Sequence, residues 1–343
     1  MGDWLTGSFF SIIAAGFFVG TIVGLTGMGG GALMTPTLIF LGVGDASTVV
    51  TADLTAAAIY KTGGALTHAR EGAPNWTLAR WLITGSVPFA LAGPWIIHRV
   101  AGSADQLDTL LKECIGFALL FAAATYALRI YVNLRRARRG GPSVNPDPTI
   151  RPLVTVAVGA LGGLLVGVTS VGSGSVIMIS LVMLYPGLSA LRLVGTDLVQ
   201  AVPLVIAAAI SNIALNGLDW HILVPLVIGS LPGSVLGSRI APRVPQSYIR
   251  RGIVIVLTMS GLALLDKSGW APLGSGDDQT HPVLIALVGV GMVIVMPFVW
   301  GILRRSQGLP MFGAPTVAEL EAPLGEPPEP SGARVGDDQP HVP

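Results

Sequence analysis

Few residues in the apolar stretches of this sequence can do chemistry, and those that can fall into two sets. Asp53 follows Thr51-Ala52 and Asp197 follows Gly195-Thr196; each precedes a leucine and a long apolar run. An ionisable group inside a membrane-length run marks function by default, because desolvating its charge is costly. The competing reading is helix-start capping, in which a carboxylate complements the macrodipole and does nothing more. Lys61 admits no such reading. It lies two turns beyond Asp53 in a run that otherwise reads Leu54-Thr55-Ala56-Ala57-Ala58-Ile59-Tyr60, too deep to snorkel easily. A buried lysine must pair with a carboxylate, meet an anionic substrate or lose its proton. Its counterpart in the second set is Val205, so the repeating pattern does not demand the charge. Gln200, Ser211 and Asn212 add polar groups to the second run.

The other candidates surround two glycine-rich breaks, Gly27-Met28-Gly29-Gly30-Gly31 and Gly172-Ser173-Gly174. A helix break inside a membrane frees backbone N–H groups that must find partners. An anion at the N-terminus of the following short helix is one such partner. Thr26, Met28, Gly29 and Gly31 flank the first break, and Thr169, Ser170, Ser173 and Ser175 flank the second. The glycines serve close helix packing equally well, as Gly20-x-x-x-Gly24 and Gly163-x-x-x-Gly167 indicate, whereas the hydroxyls favour binding. Gly27–Ala32 also fits the dinucleotide pattern G-x-G-x-x-A, but a membrane helix rather than a strand precedes it. Val171-Gly172-Ser173-Gly174 does not match the nucleophile motif of an intramembrane serine protease. His68 is a lone histidine near a helix end, with no second ligand at metal spacing. Neither an enzyme nor a metal or other cofactor is expected. Cys114, the single cysteine, allows no intrachain disulfide and no cysteine-based metal cage.

These residues must be held by helices in a membrane. The chain has 343 residues and is 51% apolar and 11% charged, where a soluble domain carries about 25% charge; its mean hydropathy is +0.70. So little charge cannot cover a soluble surface, which excludes soluble enzymes and nucleic-acid binders. Apolar runs of about twenty residues, enough to span a bilayer, occur at 4–25, 48–66, 78–97, 107–132, 153–169, 191–215, 222–240, 249–265 and 283–303. Two short runs, 32–43 and 175–184, follow the two breaks directly, as in a broken or re-entrant element. No basic segment precedes the first run, so no cleavable leader is expected.

Lysine and arginine placement sets the orientation. Arg135, Arg136, Arg138, Arg139 and Arg151 mark one cytoplasmic loop, and Arg239, Arg243, Arg250 and Arg251 a second. Arg304 and Arg305 place the C-terminus inside. The 266–281 loop then faces out, the 67–75 loop in, and the N-terminus out. Residues 304–343 hold eight prolines and six acidic residues; with few large apolar groups they are expected to be disordered.

The strongest signal is an internal repeat at an offset of 143 or 144 residues. Gly20, Gly24, Thr26, Gly29 and Gly31 recur as Gly163, Gly167, Thr169, Gly172 and Gly174. Asp53-Leu54 recurs as Asp197-Leu198, and Asn75-Trp76 as Asp219-Trp220. Ser86, Pro88, Gly93, Arg99 and Val100 recur as Ser230, Pro232, Gly237, Arg243 and Val244. The loop before Asn75 reads as inside and its mate before Asp219 as outside, so the second half is inserted upside down. The expected fold is an all-α polytopic membrane protein of two inverted-topology repeats, with broken or re-entrant helices and about seven to nine full crossings. Residues 1–132 form the first repeat, 133–151 a basic cytoplasmic linker, 152–303 the second repeat and 304–343 the tail.

The sequence resembles the sulfite exporter TauE/SafE family, also called the toluene sulfonate uptake permease family. The resemblance rests on Gly24-Leu25-Thr26-Gly27-Met28-Gly29-Gly30-Gly31, on Ala52-Asp53-Leu54 with Gly195-Thr196-Asp197-Leu198, and on the looser Gly72–Trp76 and Gly217–Trp220. It spans residues 8–303 and leaves out the tail. It implies transport of small sulfur-containing anions, such as sulfite, thiosulfate, sulfoacetate or other organosulfonates, across a bacterial plasma membrane. Related thiosulfate-uptake proteins use cysteines along their path; Cys114 lies outside the matched motifs, which argues against a cysteine relay. Aspartate in Thr-Asp-Leu, where many relatives show serine, suggests a proton-linked variant or another substrate.

The resulting expectation is a secondary active transporter that exports a small anion, sulfite or an organosulfonate, coupled to the proton gradient. Thr26, Gly29, Gly31, Thr169, Ser170 and Ser173 would cradle the anion, Lys61 would supply the countercharge, and Asp53 and Asp197 would carry protons. The partners are the anion and the lipid bilayer, with no nucleic acid; a homo-oligomer stays open. The alternative is a passive anion channel or uniporter of the same architecture.

Overall fold

The computed structural model describes residues 7–26, 30–70, 74–138, 148–172, 174–243, 246–270 and 282–305. Among them are eleven α-helices and no strand. The first five are α1 (Gly7–Thr26), α2 (Gly31–Leu41), α3 (Ala46–Arg70), α4 (Trp76–Val100) and α5 (Ala104–Arg138). The next five are α6 (Pro152–Thr169), α7 (Val176–Leu184), α8 (Ala190–Asn216), α9 (Trp220–Ile240) and α10 (Gln246–Lys267), and α11 (Pro282–Arg305) closes the described chain. Within the described residues, α1, α6, α8, α9 and the 104–129 stretch of α5 are long and apolar enough to cross a bilayer. Helices α3, α4, α10 and α11 match them in length, at 25, 25, 22 and 24 residues. The chain is an all-α polytopic membrane protein.

Helix boundaries follow the apolar runs because each run ends at a residue that stops or caps a helix. Asn75 and Asp219 are N-caps: Asn75 Oδ1 accepts from the Leu78 N–H at 3.0 Å, and Asp219 Oδ1 from the His221 N–H at 2.8 Å. Each cap is followed by an exposed tryptophan, Trp76 or Trp220, the residue that seats a helix end at a membrane interface. Asn/Asp-Trp is thus a cap plus an anchor. Gly42 closes α2 in the left-handed region. Helix α5 runs six residues further than the expected span, to Arg138. Its arginine-rich end has good helix propensity and meets no glycine or proline before Gly140.

Two helix pairs form the sides of the bundle through glycine. Gly16, Gly20 and Gly24 of α1 abut Leu226, Ser230 and Ser234 of α9, and Gly229, Gly233 and Gly237 abut Ile13, Phe17 and Thr21 in return. The same order on both helices makes α1 and α9 parallel. Helices α4 and α6 do likewise: Gly85 faces Val156, and Gly159, Gly163 and Gly167 face Leu82, Ser86 and Ala90. The crossing is so close that a Cβ on most of these glycines would overlap the opposite backbone, the small-residue packing that replaces the hydrophobic effect in lipid. Between the sides, α3 lies against α8 and α5 against α10. The α3–α8 pair is antiparallel, since Asn216 at the end of α8 donates to Thr51 near the start of α3 (3.3 Å), while Thr196 near the start of α8 accepts from the Asn75 N–H beyond the end of α3 (2.9 Å). The α5–α10 pair is antiparallel too, with Gly116 against Leu265 and Gly261 against Leu120.

Asp53 and Asp197 are each the eighth residue of their helix, which removes the capping reading. The cap of α8 is Ser189, whose Oγ accepts from the Arg192 N–H at 3.3 Å; at the start of α3 the Ala46 N–H donates to Asp108 of α5 at 2.8 Å. Parts of the basic linker and all of 306–343 lie outside the described residues, as does most of the 266–281 loop.

The glycine crossings give a stability prediction. Gly163→Ala or Gly237→Ala should lower the thermal unfolding midpoint in detergent, through an overpacking cost of about 1–3 kcal/mol. Gly252→Ala, whose Cβ would meet nothing within 4 Å, should leave it unchanged or slightly raised.

Candidate functional site

The two helix breaks meet. Gly31, the first residue of α2, lies so close to Ser170 that a Cβ there would overlap the Ser170 carbonyl. Ser170 ends α6 in the left-handed region, with φ 60°, a conformation costly for any residue but glycine or asparagine. It is the one non-glycine residue with positive φ among those described. Its side chain shows what holds it there: the Ser170 hydroxyl donates to Asp53 Oδ2 at 2.9 Å. Thr35 of α2 donates to the same oxygen at 2.5 Å. Asp53 is wholly buried, and its Oδ1 has no hydrogen-bond partner among the described residues. One carboxylate therefore joins α3, the short helix after the first break and the end of the helix before the second.

The adjoining turns of α3 complete this face. The Gly30 N–H, freed by the first break, donates to the Tyr60 hydroxyl at 3.0 Å, as an orphan amide in lipid must. Lys61 follows, buried, and its charge engages both Asp53 and Asp197. Asp197 Oδ1 accepts from Gln200 Nε2 at 3.1 Å, and its carboxylate also feels Arg129 of α5. One turn before Arg129, the buried Tyr126 hydroxyl donates to the Gly174 carbonyl in the second break, at 3.4 Å. Two acids and two bases are thus linked through Lys61 and Asp197, beside the junction of the breaks.

The other expected site residues are placed less uniformly. Gly31, Lys61, Ser170, Asp53 and Asp197 come together. Thr26 is partly exposed and turns its hydroxyl back to the Ile22 carbonyl at 2.8 Å. Thr169 is buried at the second break, where its hydroxyl donates to the Leu165 carbonyl at 2.6 Å and accepts from the Val171 N–H at 3.2 Å. Ser175 is buried beside it, with its Oγ unpartnered among the described residues. Gly29 and Ser173 lie outside the described residues. Asn212 and Ser211 are spent on packing: Asn212 donates to the Gly167 and Ala208 carbonyls, and Ser211 to that of Leu91. Among the described residues no three His, Cys, Asp or Glu side chains group as metal ligands.

Sequence reasoning missed Thr35, Tyr60, Tyr126 and Arg129. Arg129 carried a usable signal, being an ionisable residue inside the 107–132 apolar run. Thr35 and Tyr60 carried none, since their roles depend on which helix lies opposite.

Comparison with known proteins supplies the family. A family model described as Sulfite exporter TauE/SafE matches residues 12–264. The chain is 36% identical over 258 residues to "Probable membrane transporter protein YjnA" of Bacillus subtilis, covering 74% of this chain and 99% of that one. It is 27% identical over 256 residues to "Probable membrane transporter protein YdhB" of the same organism, with 74% and 99% covered. A "Probable membrane transporter protein" of Xylella fastidiosa is 24% identical over 266 residues, with 76% and 96% covered. No solved structure matches. On the family match and the extent of the first of these likenesses, the chain belongs to the sulfite exporter TauE/SafE family.

Proposed function

We propose that this protein is a secondary active transporter that exports a small anion, sulfite or an organosulfonate, with proton coupling. The observation that carries the reading is the contact between the two helix breaks at a buried group of paired charges. Binding sites of secondary transporters lie where discontinuous helices from two inverted halves meet near the midplane. Several observations support an inverted pair here. The order of long and short helices over 7–138 recurs over 152–267, α1–α9 corresponds to α6–α4, and α3–α8 and α5–α10 pair equivalent helices antiparallel. We read 1–132 and 152–303 as the two repeats, in a bacterial plasma membrane with the N-terminus outside and the C-terminus cytoplasmic. The names of the relatives and of the family support transport as the activity.

In this reading the anion sits at the junction, cradled by Thr26, Gly29 and Gly31 of the first break and Thr169, Ser170 and Ser173 of the second. Lys61 is its countercharge. In the empty protein Lys61 is neutralised by Asp53 and Asp197; a proton on either carboxyl releases the ammonium to the anion. Protonation and anion binding then favour each other, so anion and proton cross together, and the carrier exports when the outward anion gradient exceeds the inward proton gradient.

Flux in proteoliposomes tests the proposal, with sulfite, thiosulfate and sulfoacetate offered with and without an imposed pH gradient. Gradient-driven accumulation of at least one is expected, with the gradient dependence lost in Asp53→Asn or Asp197→Asn. Lys61→Met should slow initial uptake about 30-fold or more, since truncating one partner of a buried charge pair costs about 2 kcal/mol or more. Saturable flux indifferent to the gradient would instead establish a uniporter or channel. Absence of flux for all three would remove the substrate class.

A further inference from the structure

Asp53 and Asp197 occupy equivalent places in the two halves, yet their surroundings differ. Two hydroxyl donors, from Thr35 and Ser170, hold Asp53. At the positions that would correspond to Thr35 and Ser170 around Asp197, the sequence has Ile179 and Gly27, neither of which carries a hydroxyl. Asp197 instead takes one amide donor, from Gln200, and faces two cations, Lys61 and Arg129. Hydroxyls hold a carboxylate in place, whereas cations can be taken from it by another anion.

Resting on the anion-transport reading, we infer that Arg129 is a second substrate-binding cation, and that Asp197 neutralises it until the anion arrives with a proton. Arg129 is placed for this, one turn beyond the tyrosine that touches the second break. Its planar guanidinium can donate to two oxygens of a sulfite or sulfonate group at once, which a lysine ammonium does not. The count of charges supplies the stoichiometry. Asp53 and Asp197 balance Lys61 and Arg129, so the empty cluster is neutral. An added anion would leave one uncompensated charge in a low-dielectric interior, a costly state. Uptake of one proton by Asp197 restores neutrality and releases Arg129 to the anion, while Asp53 still balances Lys61.

The groups around Asp197 leave this carboxyl as the proton acceptor. From α3 come Asp53, Tyr60 and Lys61, and from α5 Tyr126 and Arg129. Helices α6 and α7 contain no titratable side chain. On α4, Arg80 and Arg99 are exposed, and His98 lies in the last turn, far from the Asn75 end that meets Thr196. On α8 itself Arg192 lies more than a turn earlier and is only partly buried.

Two measurements on the purified full-length protein test the inference. The first needs no substrate: thermal unfolding of Arg129→Gln, Asp197→Asn and the double variant. Each single change should lower the midpoint by stranding its partner, and the double should recover most of the loss; additive losses would overturn the pairing. The second is calorimetric titration with methanesulfonate, a monovalent anion that does not titrate near neutrality, in buffers of different ionisation enthalpy. Wild type should take up about one proton per anion bound. Asp197→Asn should bind with no proton uptake, and Arg129→Gln should bind about tenfold more weakly or worse, with partial rescue in Arg129→Lys. Wild type that binds while Arg129→Gln binds equally well overturns the Arg129 assignment alone. Wild type that binds neither methanesulfonate nor thiosulfate overturns the anion reading and this inference with it.

Discussion

The Asp53 carboxylate ties α3 to the short helix after the first break and to the end of the helix before the second. In a bilayer core there is no water to satisfy a buried charge or a freed amide, so each must be answered by another part of the chain. Thr35 of α2 and Ser170 at the end of α6 answer Asp53, and Tyr60 answers the amide of Gly30. Because Ser170 is held in a left-handed conformation to make its contact, the break itself is shaped by the carboxylate. Gly31 is small enough to let the two breaks touch. Any movement that separates α2 and α3 from the end of α6 must replace these bonds, which makes the junction a natural place for a ligand or a proton to act.

The surrounding helices allow such movement to be rigid-body. Helices α1 with α9, and α4 with α6, are parallel pairs locked by glycine against backbone. Helices α3 and α8, which carry the charges, lie between them and against each other. Their contact is polar where it matters: Lys61 serves carboxylates on both helices, so a change in its partner is felt by both. Arg129 brings α5 into the same circuit. A buried group of charges that sums to zero is tolerable at rest and intolerant of any single added charge, and the proposed function rests on that property to link an incoming anion to a proton.

Much of the fold was legible because its signals are local. The nine long apolar runs and two short ones correspond to the eleven helices with ends shifted by a few residues, since apolar length, glycine breaks and Asn/Asp-Trp caps act within one or two turns. Lys61 and the aspartates were legible as charges out of place. The capping reading of Asp53 and Asp197 failed because each is the eighth residue of its helix, whose first turn is served instead by Ser189 in α8 and by Asp108 of α5 in α3. Thr35 was not legible at all: its partner is 18 residues away and the bond exists only because α2 folds back on α3. Ser170 was chosen for its place at a break, but its bond to Asp53 spans 117 residues and could not be read from spacing. Thr26 and Thr169 were chosen for the same reason, and spacing did not show that their hydroxyls also bond the carbonyls of Ile22 and Leu165 one turn earlier.

The central claim is that the meeting point of the breaks is a solvent pathway opening to each side in turn. Thr169→Cys in a Cys114→Ser background places a single thiol at that point, where the native hydroxyl makes only local bonds. A membrane-impermeant thiosulfonate applied to right-side-out vesicles, and separately to inside-out vesicles, should modify this thiol from both faces, with a reversed pH gradient shifting the ratio of the two rates. Modification from one face only, or from neither, would contradict the account.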